Sequence, residues 1–340
     1  MEEQETRCLV DSIQCGDSAF LLKQMPNNSV DFVITSPPYY LQRDYNNKGI
    51  GVGHEKTVDA YIDSLLEVFS EVVRVVKPSG NIVYNIGDKY LNSSLLLVPY
   101  RFAITATSLY PVRLVNDITW VKRNPTPRQF GRRLVSSTEP FFHFSKGADY
   151  YYDRDSFPSK TKKVYQHQPS DRLGEKYRML IQDSDLSQQA KKKAHQALDD
   201  VVREVKEGHI QGFRMKIKGI HAEAFGGQDG GRKIQMEREG FTIIRIHGKG
   251  MKKDVIESTV ESIPGIKHTA VFPASVIREL IKLLCPRGGV VLDPYVGSGT
   301  TGVAAIKEGR HYIGIDIDPS YCDLSRKRIE ECRINEQKKF

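Results

Sequence analysis

Ser36-Pro37-Pro38-Tyr39 directly follows the apolar run "VDFVIT", Val30 to Thr35. A run so rich in branched apolar residues reads as a buried parallel strand. Proline cannot continue a central strand, so the chain must leave the sheet at Ser36. A hydroxyl, a carbonyl held by rigid rings and an aromatic side chain are thereby set beyond the strand's carboxyl end. That is where open α/β sheets bind ligands. The plainer reading is a tight turn with Tyr39 and Tyr40 packed on a neighbour.

A second cluster lies near the other end of the sequence. Asp293-Pro294 closes the apolar run "GGVVL", Gly297-Ser298-Gly299-Thr300-Thr301-Gly302 follows it, and Asp316 ends the next apolar run. Gly-x-Gly-x-x-Gly between a strand and a helix, with an acid after the next strand, fits a dinucleotide. A nicotinamide dehydrogenase is therefore one reading. Asp293 opposes it, because a carboxylate beside the loop repels the pyrophosphate that a helix N-terminus would hold. S-adenosylmethionine has no phosphate and carries a sulfonium and an ammonium, which an acid attracts. Too little chain follows Asp318 to supply the rest of a sheet, so the remaining strands must come from the N-terminal part.

The elements that position these clusters show in the hydrophobic rhythm. Up to about Asp153, "VDFVIT", "GNIVYNIGD", "RLVNDITWV" and "EPFFHFS" read as strands, with Val58 to Val76 at helical spacing between the first two. This alternation implies a parallel sheet. It is lost between Asp155 and Ser262 and resumes from Ile263, where "PASVIRELIKLLC" is an amphipathic helix. The chain thus divides into residues 1–154 bearing Ser36, an inserted basic region 155–262 without a core of its own, and residues 263–340 bearing the glycine loop.

The sequence holds 50 Lys and Arg against 42 Asp and Glu, a net charge of +8. Between Ser156 and Ser262 there are 21 basic residues against 15 acidic, so most of the excess sits there. That footprint suits a polyanion such as DNA. "TPRQFGRR", Thr126 to Arg133, is a second basic stretch, either a DNA clamp or a solvated turn. No apolar run approaches the ~20 residues that span a bilayer, and the acidic start "MEEQETRC" is not a secretory signal. Five cysteines without regular spacing form neither a disulfide framework nor a zinc site. A reducing cytoplasm and no metal are expected.

In this order the pieces resemble the β class of DNA amino-methyltransferases, in which the catalytic half precedes the cofactor half. The matching segments are "GDS" (Gly16–Ser18), "SVDFVITSPPYY" (Ser29–Tyr40), "VGHE" (Val52–Glu55) and "VVKPSGNIVYNIGD" (Val75–Asp88). "KHTAVFP" (Lys267–Pro273), "DPYVGSGTT" (Asp293–Thr301) and "GIDIDP" (Gly314–Pro319) complete the set. The middle of the chain matches no pattern, as a target-recognition region would.

The resemblance implies a Rossmann-like class I methyltransferase fold: α/β, with a mostly parallel seven-stranded sheet, circularly permuted, and an inserted target-recognition region. It implies methyl transfer from S-adenosylmethionine to an exocyclic amino group in duplex DNA, with the base flipped out of the stack. Ser36 and the Pro37 carbonyl would accept the amino hydrogens and free the nitrogen lone pair. Pro37 and Pro38 would hold that carbonyl in place, Tyr39 would stack on the base, and Tyr40 would pack on the sheet. Asp17, Phe272, Asp293, Pro294, Gly297, Ser298, Gly299, Thr300 and Asp316 would surround the cofactor, Asp316 at the ribose hydroxyls and Asp17 near the adenine. Arg128, Arg132, Arg133, Lys191, Lys192 and Lys193 would contact DNA, mostly at phosphates. Ser-Pro-Pro-Tyr commonly accompanies cytosine N4 in this family and Asp-Pro-Pro-Tyr adenine N6, so cytosine N4 is the expected target and adenine N6 the alternative. Cytosine C5 chemistry needs a nucleophilic cysteine, typically after a proline, and the chain offers only Cys285-Pro286, in reverse order. A cognate restriction endonuclease, a homodimer and a prokaryotic, nucleoid-associated setting are further implications. A non-catalytic DNA-binding protein that kept only the fold is the remaining alternative.

Overall fold

The computed structural model describes residues 9–41, 51–125, 131–154, 156, 172–221, 231–246, 253–260 and 273–338. They fall into two units, residues 1–157 with 252–340, and residues 158–251. The strands in chain order are β1 (Ser12–Cys15), β2 (Val30–Thr35), β3 (Val76–Asn85), β4 (Tyr90–Leu91), β5 (Ser94–Leu95), β6 (Arg113–Lys122), β7 (Thr138–Ser145), β8 (Gly212–Ile217), β9 (Phe241–Ile246), β10 (Val255–Ser258), β11 (Val290–Asp293) and β12 (His311–Asp316). The described helices are α1 (Ser18–Lys23), α2 (Val58–Val75), α3 (Val98–Leu109), α4 (Glu175–Gln182), α5 (Gln188–Lys206), α6 (Gly231–Glu239), α7 (Ala274–Leu284), α8 (Thr300–Lys307) and α9 (Pro319–Gln337).

In the first unit one sheet runs in the order β1-β12-β11-β2-β3-β7-β6-β10. Its centre is made by strands whose residues are apolar on both faces: Val30, Phe32, Val33 and Ile34 of β2 are all fully buried, as are Val291 and Leu292 of β11. Strands buried on both faces need helices on both sides. One side packs on α1, α2 and α3, where Leu65, Phe69 and Val72 join Val33 and Tyr84 in one core cluster. The other packs on α7 and α8, where Val276, Leu280, Ile281 and Ala304 meet Phe32, Ile34 and Val291. Thr57 starts α2 by accepting the Ala60 N–H on its hydroxyl at 3.2 Å, one of the orphan donors of a helix start.

The late strands β11 and β12 insert between the early strands β1 and β2, and all three junctions are parallel. The chain order is therefore permuted relative to the spatial order. Register places Leu292 beside Val33 and Cys15 beside Asp316, so the carboxyl ends of β1, β12, β11 and β2 share one edge. β7 runs antiparallel between β3 and β6. An eighth strand, β10, pairs parallel to β6 and comes from the segment read as inserted, so the sheet exceeds the seven strands expected.

Residues 158–251 carry a core of their own, against the expectation of an irregular insertion. β8 and β9 form an antiparallel pair, and Ile217 and Phe241 meet Ile181 of α4 and Ala194, Leu198 and Val201 of α5. The apolar residues of α5 recur at helical spacing, but lysines and acids surround them, so the stripe reads as a polar helix until a partner is seen.

Candidate active site

A cavity opens at the carboxyl edge of β1, β12, β11 and β2. Its lining includes Asp17, Ser36, Pro37, Pro38, Tyr39, Asp293, Gly297, Ser298, Thr300 and Asp316. The structure therefore brings together both clusters that stood far apart in sequence. Asp17, Asp293, Asp316 and Asp318 line it, and no Lys or Arg does among the described residues. Such a wall attracts a cation and repels a pyrophosphate.

Asp293 holds the two clusters together. Its carboxylate accepts the Thr35 hydroxyl at 2.6 Å, the Thr301 hydroxyl at 2.6 Å and the Tyr295 N–H at 3.1 Å. Thr35 precedes Ser36, and Thr301 lies in the first turn of α8, so one buried acid ties the Ser36 turn to the glycine loop. Burial pushes Asp293 up to about 6, against the pull of Thr301, Thr35 and Tyr295, with the charge of Asp316 adding to the rise. Asp316 accepts the N–H of Gly297 and of Asp318, both at 2.9 Å, and is also raised by burial. Gly299 adopts φ +80°, and a Cβ there would lie 2.9 Å from Ser325 Cα, so the loop can only close on α9 as glycine. Ser298 and Thr300 are buried and share a hydroxyl contact at 3.3 Å, which gives them a role in loop shape. Pro294 accepts the Ser18 hydroxyl on its carbonyl at 2.5 Å. Asp17 is the N-cap of α1, accepting the Phe20 N–H at 2.8 Å, and it lines the cavity as well. Capping and ligand contact are compatible for a carboxylate with two oxygens.

At the turn after β2 Ser36 donates to the Tyr39 hydroxyl at 3.1 Å, and Tyr39 lies within donating distance of Asn85 Oδ1 (2.8 Å) and Glu139 Oε2 (3.2 Å). Asn85 donates its Nδ2 to the Pro140 carbonyl at 3.0 Å, which fixes its oxygen towards Tyr39. Glu139 is paired with Lys122, which lies 4.9 Å from the Trp120 ring centroid. The Pro38 carbonyl accepts from Tyr61 at 2.9 Å, whereas no hydrogen bond reaches the Pro37 carbonyl among the described residues. Tyr40 is buried, 5.5 Å from the Tyr61 ring, as expected of a packing residue. The Tyr39 ring lies over Gly87, where a Cβ would come within 2.3 Å of it.

Thr35, Thr301, Tyr61, Asn85, Gly87, Lys122 and Glu139 do not stand out in the sequence. Thr35, Asn85, Gly87 and Thr301 lie inside segments that resemble the family, where their neighbours carry the stronger signal, and Glu139 opens the apolar run "EPFFHFS". Lys122 and Glu139 lie on antiparallel strands that sequence spacing does not join.

Of the expected DNA contacts, Arg132 and Arg133 belong to one unit and Lys191, Lys192 and Lys193 to the other. Arg132 is exposed, and Arg133 lies over the Tyr90 ring at 3.7 Å. On α5, Lys191 donates to the Gln182 carbonyl at 2.6 Å, Lys193 pairs with Glu239 at 3.3 Å, and Lys192 is exposed. Arg128 and Phe272 lie outside the described residues.

Comparison with known proteins agrees with this arrangement. A family model described as DNA methylase matches residues 30–327. The type II methyltransferase M.SfiI of Streptomyces fimbriatus is 25% identical over 379 residues, covering 91% of this chain and 89% of its own. Among solved structures, the PvuII DNA methyltransferase, cytosine-N4-specific, superposes with a TM-score of 0.57 at 18% identity, over 94% of this chain and 90% of that one. TTHA0409 of Thermus thermophilus, complexed with S-adenosyl-L-methionine, gives a TM-score of 0.53 at 22% identity, over 95% and 94%.

Proposed function

The chain belongs to the DNA methylase family, as an S-adenosylmethionine-dependent methyltransferase of the N4/N6 class, and on that premise we propose that it methylates the exocyclic N4 amino group of cytosine in duplex DNA. The carrying observation is the direction of the hydrogen bonds at Ser36. Glu139 as a carboxylate and Asn85 through Oδ1 can only accept, so the single Tyr39 proton goes to one or the other of them and not to Ser36. Tyr39 then offers Ser36 a lone pair, and Ser36 spends its proton there. What Ser36 has left for a substrate is lone pairs. A base that presents N–H bonds, an amino group, is the complement.

The lone pair of such an amino group is delocalised into the ring. Acceptance of its two hydrogens by Ser36 Oγ and the Pro37 carbonyl pyramidalises the nitrogen and frees the pair. Tyr61 holds the neighbouring Pro38 carbonyl, which keeps the turn in place before substrate arrives. Tyr39 stacks on the flipped base. Bound in the acidic cavity, S-adenosylmethionine supplies an electrophilic methyl group. Asp316 receives the ribose hydroxyls, Asp293 favours the positive charge, and Asp17 lies towards the adenine. Arg132 and Lys191 to Lys193 meet phosphates, Lys193 exchanging its pairing with Glu239 for one. Ser36 in the Ser-Pro-Pro-Tyr turn, and the structural likeness to a cytosine-N4-specific enzyme, support cytosine. The type II relatives support a cognate restriction endonuclease as partner.

The test compares wild type with Ser36→Ala for tritium transfer from labelled S-adenosylmethionine to duplex DNA, alongside calorimetry of cofactor binding. A loss on the order of 100-fold or more in transfer, with cofactor affinity kept, is expected. A variant within a few fold of wild type would remove Ser36 from the chemistry.

A further inference from the structure

Methyl transfer to an amino group leaves a proton to be disposed of, and the hydrogen bonds at Tyr39 show where it can go. We propose that Glu139 is the terminal proton acceptor of the reaction, reached through Ser36 and Tyr39. This rests on the amino-methyltransferase reading of the site and holds for either base. The amino nitrogen forms its bond to the methyl carbon with its own lone pair while the carbon–sulfur bond breaks towards sulfur. The nitrogen is then positively charged and one proton in excess. That proton passes to Ser36 Oγ as the Ser36 proton passes to Tyr39 Oη, 3.1 Å away. The Tyr39 proton passes to Glu139 Oε2, 3.2 Å away, and the carboxylate becomes a neutral acid. Every oxygen ends with the proton count that it requires, and Glu139 later returns its proton to water.

Asn85 is nearer to Tyr39, at 2.8 Å, but a carboxamide oxygen does not hold a proton at neutral pH, whereas a carboxylate can. Asn85 therefore aligns the tyrosine and Glu139 takes the charge. The alkylated amino group is a stronger acid than a carboxylic acid, because loss of the proton restores delocalisation into the ring. Transfer along the chain is downhill. The charged and titratable groups bonded to Glu139 are Lys122 from β6 and Tyr39 from the turn after β2, while β3 presents the neutral Asn85. Glu139 touches neither base nor cofactor in this scheme. It acts through Tyr39, as a positioning residue that also receives a proton.

The experiment is single-turnover methyl transfer to duplex DNA with wild type, Glu139→Gln and Glu139→Asp. Cofactor affinity is measured in parallel by calorimetry. Glu139→Gln keeps the shape and hydrogen-bonding capacity but not the proton affinity. It should slow transfer on the order of 100-fold with cofactor affinity unchanged, the range typical of a lost acid–base group. Glu139→Asp should recover part of that loss. Glu139→Gln within threefold of wild type, or Glu139→Asp no faster than Glu139→Gln, would overturn the proposal. Wild-type labelling without these effects overturns the role of Glu139 alone. A wild type that leaves DNA unlabelled overturns the amino-transfer reading and the role of Glu139 with it.

Discussion

Asp293 is where three hydrogen bonds converge on one buried acid, and its state of charge contributes to the field of the cavity proposed to hold the cofactor. Because burial raises it to about 6, it is mostly ionised at pH 7 and protonates as pH falls through that value. A bound cation favours the ionised form, so affinity for S-adenosylmethionine should fall between pH 7 and pH 5. The neutral thioether product should lose less. Calorimetry across that range, with Asp293→Asn as the flat control, checks both the direction and the residue. The second residue-scale expectation concerns Gly87. A methyl group there would collide with the Tyr39 ring at 2.3 Å and displace it from Ser36. Gly87→Ala should therefore reduce the rate of methyl transfer by about tenfold or more while thermal unfolding and cofactor binding stay near wild type, since about 1.4 kcal/mol of lost alignment already gives that factor.

At the scale of elements, α2 is the scaffold of the half that bears Ser36. Phe69 is fully buried and meets the rings of Tyr84, Phe102, Tyr110 and Phe144 at centroid distances of 5.4, 5.4, 5.6 and 5.4 Å. Phe69→Ala should cost about 3–5 kcal/mol of stability, read by denaturant unfolding. A smaller loss would mean that the cluster collapses around the gap. The elements that carry the site are legible in the sequence because each has a strong period and a sharp boundary. β2 ends just before Pro37-Pro38, and β11 ends at Asp293 before a loop that requires glycine. The antiparallel placement of β7 is not legible, since an apolar strand looks the same in either direction. For that reason sequence alone does not set Glu139 beside Tyr39. Nor does it show the core of residues 158–251, whose apolar positions are spread thinly among charges and meet only on folding. β10 escapes for a related reason: "VIES" is too short to show a period, and its pairing with β6 is decided by the sheet edge.

Over the whole molecule, a permuted chain places two distant motifs on adjacent parallel strands, and a net charge of +8 suits a polyanionic substrate. Binding to duplex DNA should weaken as salt rises. Each basic residue that meets a phosphate should contribute about 0.9 to the slope of log affinity against log salt. Arg132→Gln and Lys192→Gln should each flatten the slope by about that amount; an unchanged slope would place those side chains away from the backbone. The measurement that bears most directly on the proposed reaction is mass spectrometry of nucleosides from mixed-sequence duplex DNA incubated with the protein and a trideuteromethyl donor. Deuterated methyl on N4 of cytidine, and on no other nucleoside, is the expected result. Deuterated N6-methyladenosine in its place would contradict the assignment of cytosine while leaving the hydrogen-bond chain at Ser36 as the means of transfer.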